Sequence, residues 1–441
     1  MERNKVLYRF TGWVGWFLLF FPAFSCSANA IEIKSVHSSK GVHAWLVEDH
    51  TVPVIAIQFS FRGGSVQDPV GKEGLTNLMS TLFDEGAGDI SSDAFQAYLD
   101  DLGGDMSFSA NRDSIRGSLR VLAENRDQAV KLLALAVQKP RFDQDAVDRI
   151  REQLIAGIRA SERDPSTIAQ KKFAAMVYGK HPYGRWGKGS SESLEKITRD
   201  DLVLTHARMF ARDNVKIGIV GPISPEEAGR IVEQVFDILP KKAQLQLIES
   251  AKLHLGGMIT VNYNLPQTSI TLLYPGIKRD DPEFFAAYLM NYTLGGPGLT
   301  SRLFAEVREK RGFAYNISSR LMNFDYASAL AISTGTRADS AQKSLEIIRE
   351  EARRMAAAGM TADELVIAKS YAIGSYAIQN MGSSSDIAST LVDLQEQNLP
   401  IDYIGKRIDL INAVTRDAVN AVARKLLSID PSILMVGRVK D

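Results

Sequence analysis

Arg308 and Tyr315, seven residues apart, are the pair in this chain best suited to act on a carbonyl. A guanidinium offers five N–H donors and a phenol one O–H donor. Together they can hold a polarised carbonyl oxygen or an oxyanion. The same spacing also fits a surface arginine on a helix followed by a half-buried strand tyrosine. Beyond this pair the chemical inventory is short. The six histidines are His37, His43, His50, His181, His206 and His254, and no two stand at i, i+3 or i, i+4. No helix face therefore presents two imidazoles to one metal ion. His43 and His50 flank a strand and its turn and read as polar strand ends. His181, in a His-Pro-Tyr-Gly loop, reads as a residue that orders the loop. Nucleophilic serine elbows and phosphate-cradling glycine loops are absent from the sequence, and Cys26 is the single cysteine.

The Arg/Tyr pair needs a helix, a turn and a strand to bring it together. After the glycines at 295, 296 and 298, residues 301–311 read as a helix with Leu303, Phe304 and Val307 on one apolar face. Gly312 suits a left-handed cap, and a strand follows from 313. Upstream, strands are expected at 42–47, 54–61, 106–110, 114–121 and 215–220. Helices are expected at 75–83, 93–102, 126–138, 143–161, 168–178 and 199–210. The order then begins again. Strands are expected at 258–264, 267–274, 314–320, 327–334 and 432–436, with helices at 283–294, 340–358, 360–377 and 415–427. A repeat at this separation predicts an α+β chain with a duplicated domain. The halves would be 31–238 and 256–441, joined by a polar linker at 239–255.

The run LGGPGLTSRLFAEVREKRGFAY resembles the second-half signature of the pitrilysin/insulinase-type zinc metallopeptidases and their processing-peptidase relatives. The likeness extends over nearly all of the chain after its first thirty residues. It includes FRGGSVQDPVGKEGLTNLMSTLFDEGA, AYLDDLGGDMSFSANRD, GKHPYGRWGKGSSESLEKIT and FARDNVKIGIVGPISPEE. It implies two similar α/β-sandwich domains forming one half of a clam shell around a chamber. In the family the motif's arginine and tyrosine help to hold the substrate carbonyl at the scissile bond, and Arg308 and Tyr315 match them. The active members also carry His-x-x-Glu-His on a first-half helix and a later glutamate as the third zinc ligand. The matching positions here are Asn77, Ser80 and Thr81, with Gly157 near the third. Amide and hydroxyl oxygens are weak neutral ligands, serine is no base at neutral pH, and glycine has no side chain.

The resemblance therefore implies a non-catalytic subunit that works with a homologous zinc-bearing partner. The zinc would sit in that partner and no cofactor in this chain. A peptide substrate would add a strand to an exposed sheet edge, for which Met106, Ser107, Phe108, Ser109, Ala110 and Asn111 are the candidates. A peptide-binding or chaperone-like chamber protein and a structural core subunit are the alternative readings. With 52 basic and 52 acidic residues, the chain shows no sign of a nucleic-acid partner. Arg3, Lys5 and Arg9, an apolar run over 12–24 and Ala28-Asn29-Ala30 read as a secretory signal peptide over 1–30. Phe24 stands where a lipoprotein signal usually has a small residue, so lipid attachment at Cys26 is the lesser reading. Periplasmic or secreted localisation is expected, without stable membrane insertion after cleavage. The exported chain would then have no cysteine and no disulfide.

Overall fold

The first sheet is assembled from strands far apart in sequence. It holds β1 Lys34–His37, β2 His43–Glu48, β3 Val54–Arg62, β4 Asp105–Ala110, β5 Ser114–Leu122 and β6 Val215–Gly221. Their spatial order is β1-β2-β6-β3-β5-β4. The second sheet holds β7 Met258–Asn262, β8 Gln267–Pro275, β9 Ala314–Asn323, β10 Ser328–Arg337 and β11 Ser432–Gly437. Its order is β7-β11-β8-β10-β9. The structure, a computed structural model, describes residues 32–298 and 300–438. The expected signal peptide and Cys26 lie outside the described residues.

The two sheets repeat each other in neighbour order and in strand direction. β2 pairs parallel with β6, as β7 does with β11. Every other matched pair is antiparallel: β6–β3 with β11–β8, β3–β5 with β8–β10, and β5–β4 with β10–β9. The duplication expected from the sequence is thus present, and β1 is an addition to the first half. β4 and β9 occupy corresponding edges.

Each half lends a helix to the other. Helix Ser384–Glu396, from the second half, packs on β6 and β3 of the first sheet. Its Ala388, Leu391 and Val392 are buried there, and the Gln395 side-chain amide donates to the Ile217 carbonyl at 2.9 Å. Helix Pro165–Tyr178, from the first half, packs on β11 and β7, where Ala169 meets Leu434 and Val436. Gly218 on β6 makes the first contact possible, because a Cβ there would lie 2.4 Å from the Ala388 carbonyl oxygen. Residues 240–255 carry no helix or strand and are pinned along both halves. Gln67 exchanges hydrogen bonds with Gln246, Ala251 N–H donates to Tyr326 and His254 N–H to Val177. Residues from Glu32 onward accordingly form one compact unit.

Among the described residues, no helix is long and apolar enough to cross a membrane. Several elements depart from the sequence expectation. The helix expected at 75–83 ends at Ser80, and helices Pro225–Phe236, Ser384–Glu396 and Tyr403–Asn412 are additional.

Candidate carbonyl-binding site

The segment that carries the Arg/Tyr pair is anchored by its apolar residues. Leu303 and Val307 are fully buried, and Phe304 nearly so, in the second half's core. The expected helix is present, but Phe304–Glu309 is a π-helix, with Lys310 N–H bonded to the Ala305 carbonyl at 3.0 Å. Such wide turns recur at functional sites because one extra residue re-aims the side chains of that turn. Gly312 then ends the segment at φ +61°, and its N–H donates to the Arg308 carbonyl at 2.9 Å.

Tyr315 stands on the second irregularity. In the β9–β10 pairing, Ala314 faces Thr336 and Asn316 faces Gly335, leaving Tyr315 without an opposite number. It is the extra residue of a β-bulge, and bulges commonly turn a side chain away from its regular direction. The Thr336 hydroxyl donates to the Phe313 carbonyl at 2.6 Å, and Thr334 donates to Asn316 at 2.8 Å, tying the bulge down on both sides. Tyr315 is 80% exposed on an edge strand that has no outer neighbour among the described residues.

These two irregularities bring the expected pair into contact. The Arg308 guanidinium lies 4.7 Å from the Tyr315 ring centroid and 4.7 Å from that of Phe304. Cation–π contact on two faces holds the cation without occupying its N–H donors. The neighbouring cations are all engaged. Arg302 forms a bidentate pair with Glu364 at 2.7 Å and also donates to the Gly359 carbonyl. Lys310 and Arg311 share the Glu306 carboxylate at 2.5 and 2.6 Å. Hydrogen bonds from Lys310 and Arg311 hold that carboxylate below its ordinary pKa. Among the described residues, neither the Arg308 guanidinium nor the Tyr315 hydroxyl has a hydrogen-bond or ion-pair partner. Both are left to donate to something else. Phe304, which the sequence reading assigned only to the core, supplies one of the two rings that hold Arg308.

The positions that match the family's metal site present a different chemistry. The Ser80 hydroxyl donates to the Asn77 carbonyl at 2.8 Å and the Thr81 hydroxyl to the Leu78 carbonyl at 2.9 Å. Both are turned back onto a helix of only six residues. Gly157 lies on the exposed face of helix Gln144–Ser161, with open space where a side chain would be. Among the described residues, no group of three His, Cys, Asp or Glu side chains is placed to hold a metal ion. This donor set does not fit zinc.

The candidate peptide edge is an edge strand in the fold, since β4 pairs only with β5. Met106 points inward, Phe108 stacks on Phe83 at 4.8 Å, and Ser107 and Ser109 face outward. Ala110 ends the strand. Asn111 lies beyond it, where its side-chain carbonyl accepts from the N–H groups of Asp113 and Ser114, so it orders the turn. His181 orders its loop as expected: Nδ1 accepts from the Tyr183 N–H and Nε2 donates to the Glu249 carbonyl.

The profile "Insulinase (Peptidase family M16)" matches residues 44–186, and "Peptidase M16 inactive domain" matches residues 196–371. The crystal structure of a peptidase M16 inactive domain from Pseudomonas fluorescens superposes with a TM-score of 0.86. It shows 30% identity and covers 93% of this chain and 98% of that one. The chain belongs to the M16 family. Among its M16 relatives, "Non-peptidase homolog YmxG" of Helicobacter pylori is 23% identical over 398 residues, or 89% of this chain and 90% of that protein. "Uncharacterized zinc protease YmxG" of Bacillus subtilis is 25% identical over 406 residues, or 92% and 98%. The chain is an inactive-type M16 protein related to these YmxG proteins, and its metal-site positions agree with that type.

Proposed function

We propose that this M16 chain is an exported, non-catalytic subunit of a heteromeric zinc peptidase. A homologous partner holds the zinc, and Arg308 and Tyr315 act on the scissile carbonyl of a peptide bound between the two. The observation that carries this reading is the Arg308 guanidinium, held between the Phe304 and Tyr315 rings with no hydrogen-bond or ion-pair partner among the described residues, while Arg302, Lys310 and Arg311 are each engaged by a carboxylate. A cation kept free of carboxylates at an exposed edge is suited to an oxygen that gains negative charge during the reaction. The unfilled edge of β4 supports peptide binding by strand addition, with Ser107 and Ser109 on the open face. The donor set at Asn77, Ser80, Thr81 and Gly157 supports a metal supplied from outside the chain.

The test is reconstitution. The purified chain should cleave no peptide alone, and a homologous subunit with an intact His-x-x-Glu-His helix should co-purify with it and gain activity from it. A partner equally active without this chain would end the reading. The Helicobacter pylori relative is named a non-peptidase homolog, which favours a second reading without proteolysis, and the open edge of β4 makes that a peptide-binding chamber. That reading predicts peptide binding by the assembled pair and no turnover. Export is tested by N-terminal sequencing from the native host, with Ile31 expected first.

A further inference from the structure

A second cluster of donors lies in the outer layer of the second half, apart from the carbonyl site. Helices Ala341–Ala358 and Arg416–Leu427 pack side by side. Between them and the end of β8 is a cavity of about 390 Å³, lined by Arg349, Arg353, Arg424, Tyr274 and Asp430. Arg349 and Arg353 stand one turn apart on the same helix, an arrangement of like charges that is unfavourable unless a counter-charge is near. Asp430 supplies one, at 3.1 Å from Arg349. Among the described residues, Arg353 and Arg424 have no hydrogen-bond or ion-pair partner. The carbonyl ends of helices Arg416–Leu427 and Ala341–Ala358 both lie at this cavity, and each contributes roughly half a negative charge. Three guanidinium groups against one carboxylate and those two helix ends leave the pocket positive.

Tyr274 is the independent second observation. It is 2% exposed, lines this cavity, and its hydroxyl has no hydrogen-bond partner among the described residues. The ring is buried while the hydroxyl oxygen is not sealed off, so it is open to the cavity it lines and free to donate to a ligand there. Burial pushes its pKa up to about 12, so at neutral pH it stays a neutral donor.

We propose that this pocket binds a phosphate-type dianion, clasped by the guanidinium groups of Arg349, Arg353 and Arg424 with the Tyr274 hydroxyl donating from the floor. Planar guanidinium forks match the oxygens of a phosphate in bidentate fashion. The ligand could be a soluble phosphate ester or the headgroup of an anionic lipid, which share this chemistry.

The experiment uses the full chain and two probes. Inorganic phosphate is titrated by calorimetry, and co-sedimentation compares phosphatidylglycerol with phosphatidylcholine vesicles. All measurements are made in an Arg308→Ala background, so that the carbonyl site cannot supply the signal. Saturable binding of one phosphate per chain supports a soluble ester. Selective phosphatidylglycerol binding supports a headgroup. In either case Arg353→Ala or Arg424→Ala should weaken binding by about tenfold or more. Tyr274→Phe should weaken it by a smaller factor, while the distant Arg337→Ala should leave it unchanged. The proposal is overturned if neither probe binds. It is equally overturned if the Arg353→Ala/Arg424→Ala double variant, folded by circular dichroism, binds as tightly as the parent.

Discussion

Gly218→Ala is a one-carbon test of the exchanged-helix architecture. The new Cβ would lie 2.4 Å from the Ala388 carbonyl oxygen and 2.9 Å from the Leu391 Cβ. Both obstacles belong to helix Ser384–Glu396, and neither can rotate away. Restoring ordinary contact near 3.4 Å requires a helix shift of about 1 Å. Over-packing of this kind costs about 1–3 kcal/mol. The same shift strains the Gln395-to-Ile217 hydrogen bond, while the amide keeps its bond to the Leu391 carbonyl of its own helix, so the further loss is that of one hydrogen bond, about 0.5–1.5 kcal/mol. Alanine's lower chain entropy returns about 0.5–1 kcal/mol. The expected net loss is about 0.5–4 kcal/mol. Urea unfolding followed by circular dichroism measures it as a lower midpoint at unchanged slope. Gly374→Ala is the control. That glycine lies in helix Ala362–Asn380 with nothing within 4 Å of the place a Cβ would take, so alanine should be neutral or stabilise by up to about 1 kcal/mol. If Gly218→Ala were as stable as the parent, the helix would not lie where the exchange requires, and the reasoning would fail.

Three further outcomes follow from the site and from the junction between the halves. Phe304→Leu keeps the apolar volume but removes one ring from Arg308, so kcat of the reconstituted pair should fall roughly 2- to 30-fold, the worth of a cation–π contact; an unchanged kcat would deny Phe304 its positioning role. Elemental analysis after dialysis in metal-free buffer should find far less than about one zinc per chain, and a stoichiometric ion would show that other ligands exist. At the meeting of the hairpin tips, the Asp113 carboxylate accepts from the Tyr183 hydroxyl at 2.5 Å and the Asp325 N–H at 3.2 Å, and burial raises its pKa from 3.8 to about 6. The folded state therefore holds this proton more tightly than the unfolded chain does, and its contribution to stability is lost as pH rises from about 4 to about 6. Relative to Asp113→Asn, the parent should lose up to about 3 kcal/mol over that window, at about 1.36 kcal/mol per pKa unit. A parallel pH dependence of the two proteins would contradict the assignment.

Much of this organisation was legible in the sequence because it rests on periodic patterns. Alternating β-branched and aromatic residues marked most strands, and recurrence of the same element order pointed to a duplicated domain. Arg308 and Tyr315 were visible as a pair because helix–turn–strand segments announce themselves through Leu303, Val307 and Gly312. The geometry that brings them into contact was not legible. A π-turn and a β-bulge each insert one residue into a regular ladder, and no periodic signal records a single extra residue. The helix exchange was also hidden. Ser384–Glu396 is buried against strands of the other half, and its sequence does not say which sheet will cover it. Helix Pro225–Phe236 did carry a readable start in Ser224, Pro225 and Glu227, and Ser224 and Glu227 form a capping box in the fold. Asn111 was grouped with the edge strand because the run before it is continuous. Its side chain instead closes the turn, the usual use of asparagine at a strand end.

The most direct test of the shared-site account is the turnover of reconstituted complexes carrying Arg308→Ala or Tyr315→Phe. Each variant must first elute with its zinc-bearing partner as one species on size-exclusion chromatography, so that a lost rate cannot report disassembly. Lys310→Ala serves as the control, because its ammonium is an exposed ion-pair partner of Glu306 and not part of the pair. Loss of one preorganised donor to an oxyanion typically costs about 2.7–4 kcal/mol, so kcat should fall by about 10²–10³ in each variant and little in the control. Wild-type turnover in both intact variant complexes would contradict the account and leave this chain as a binding subunit.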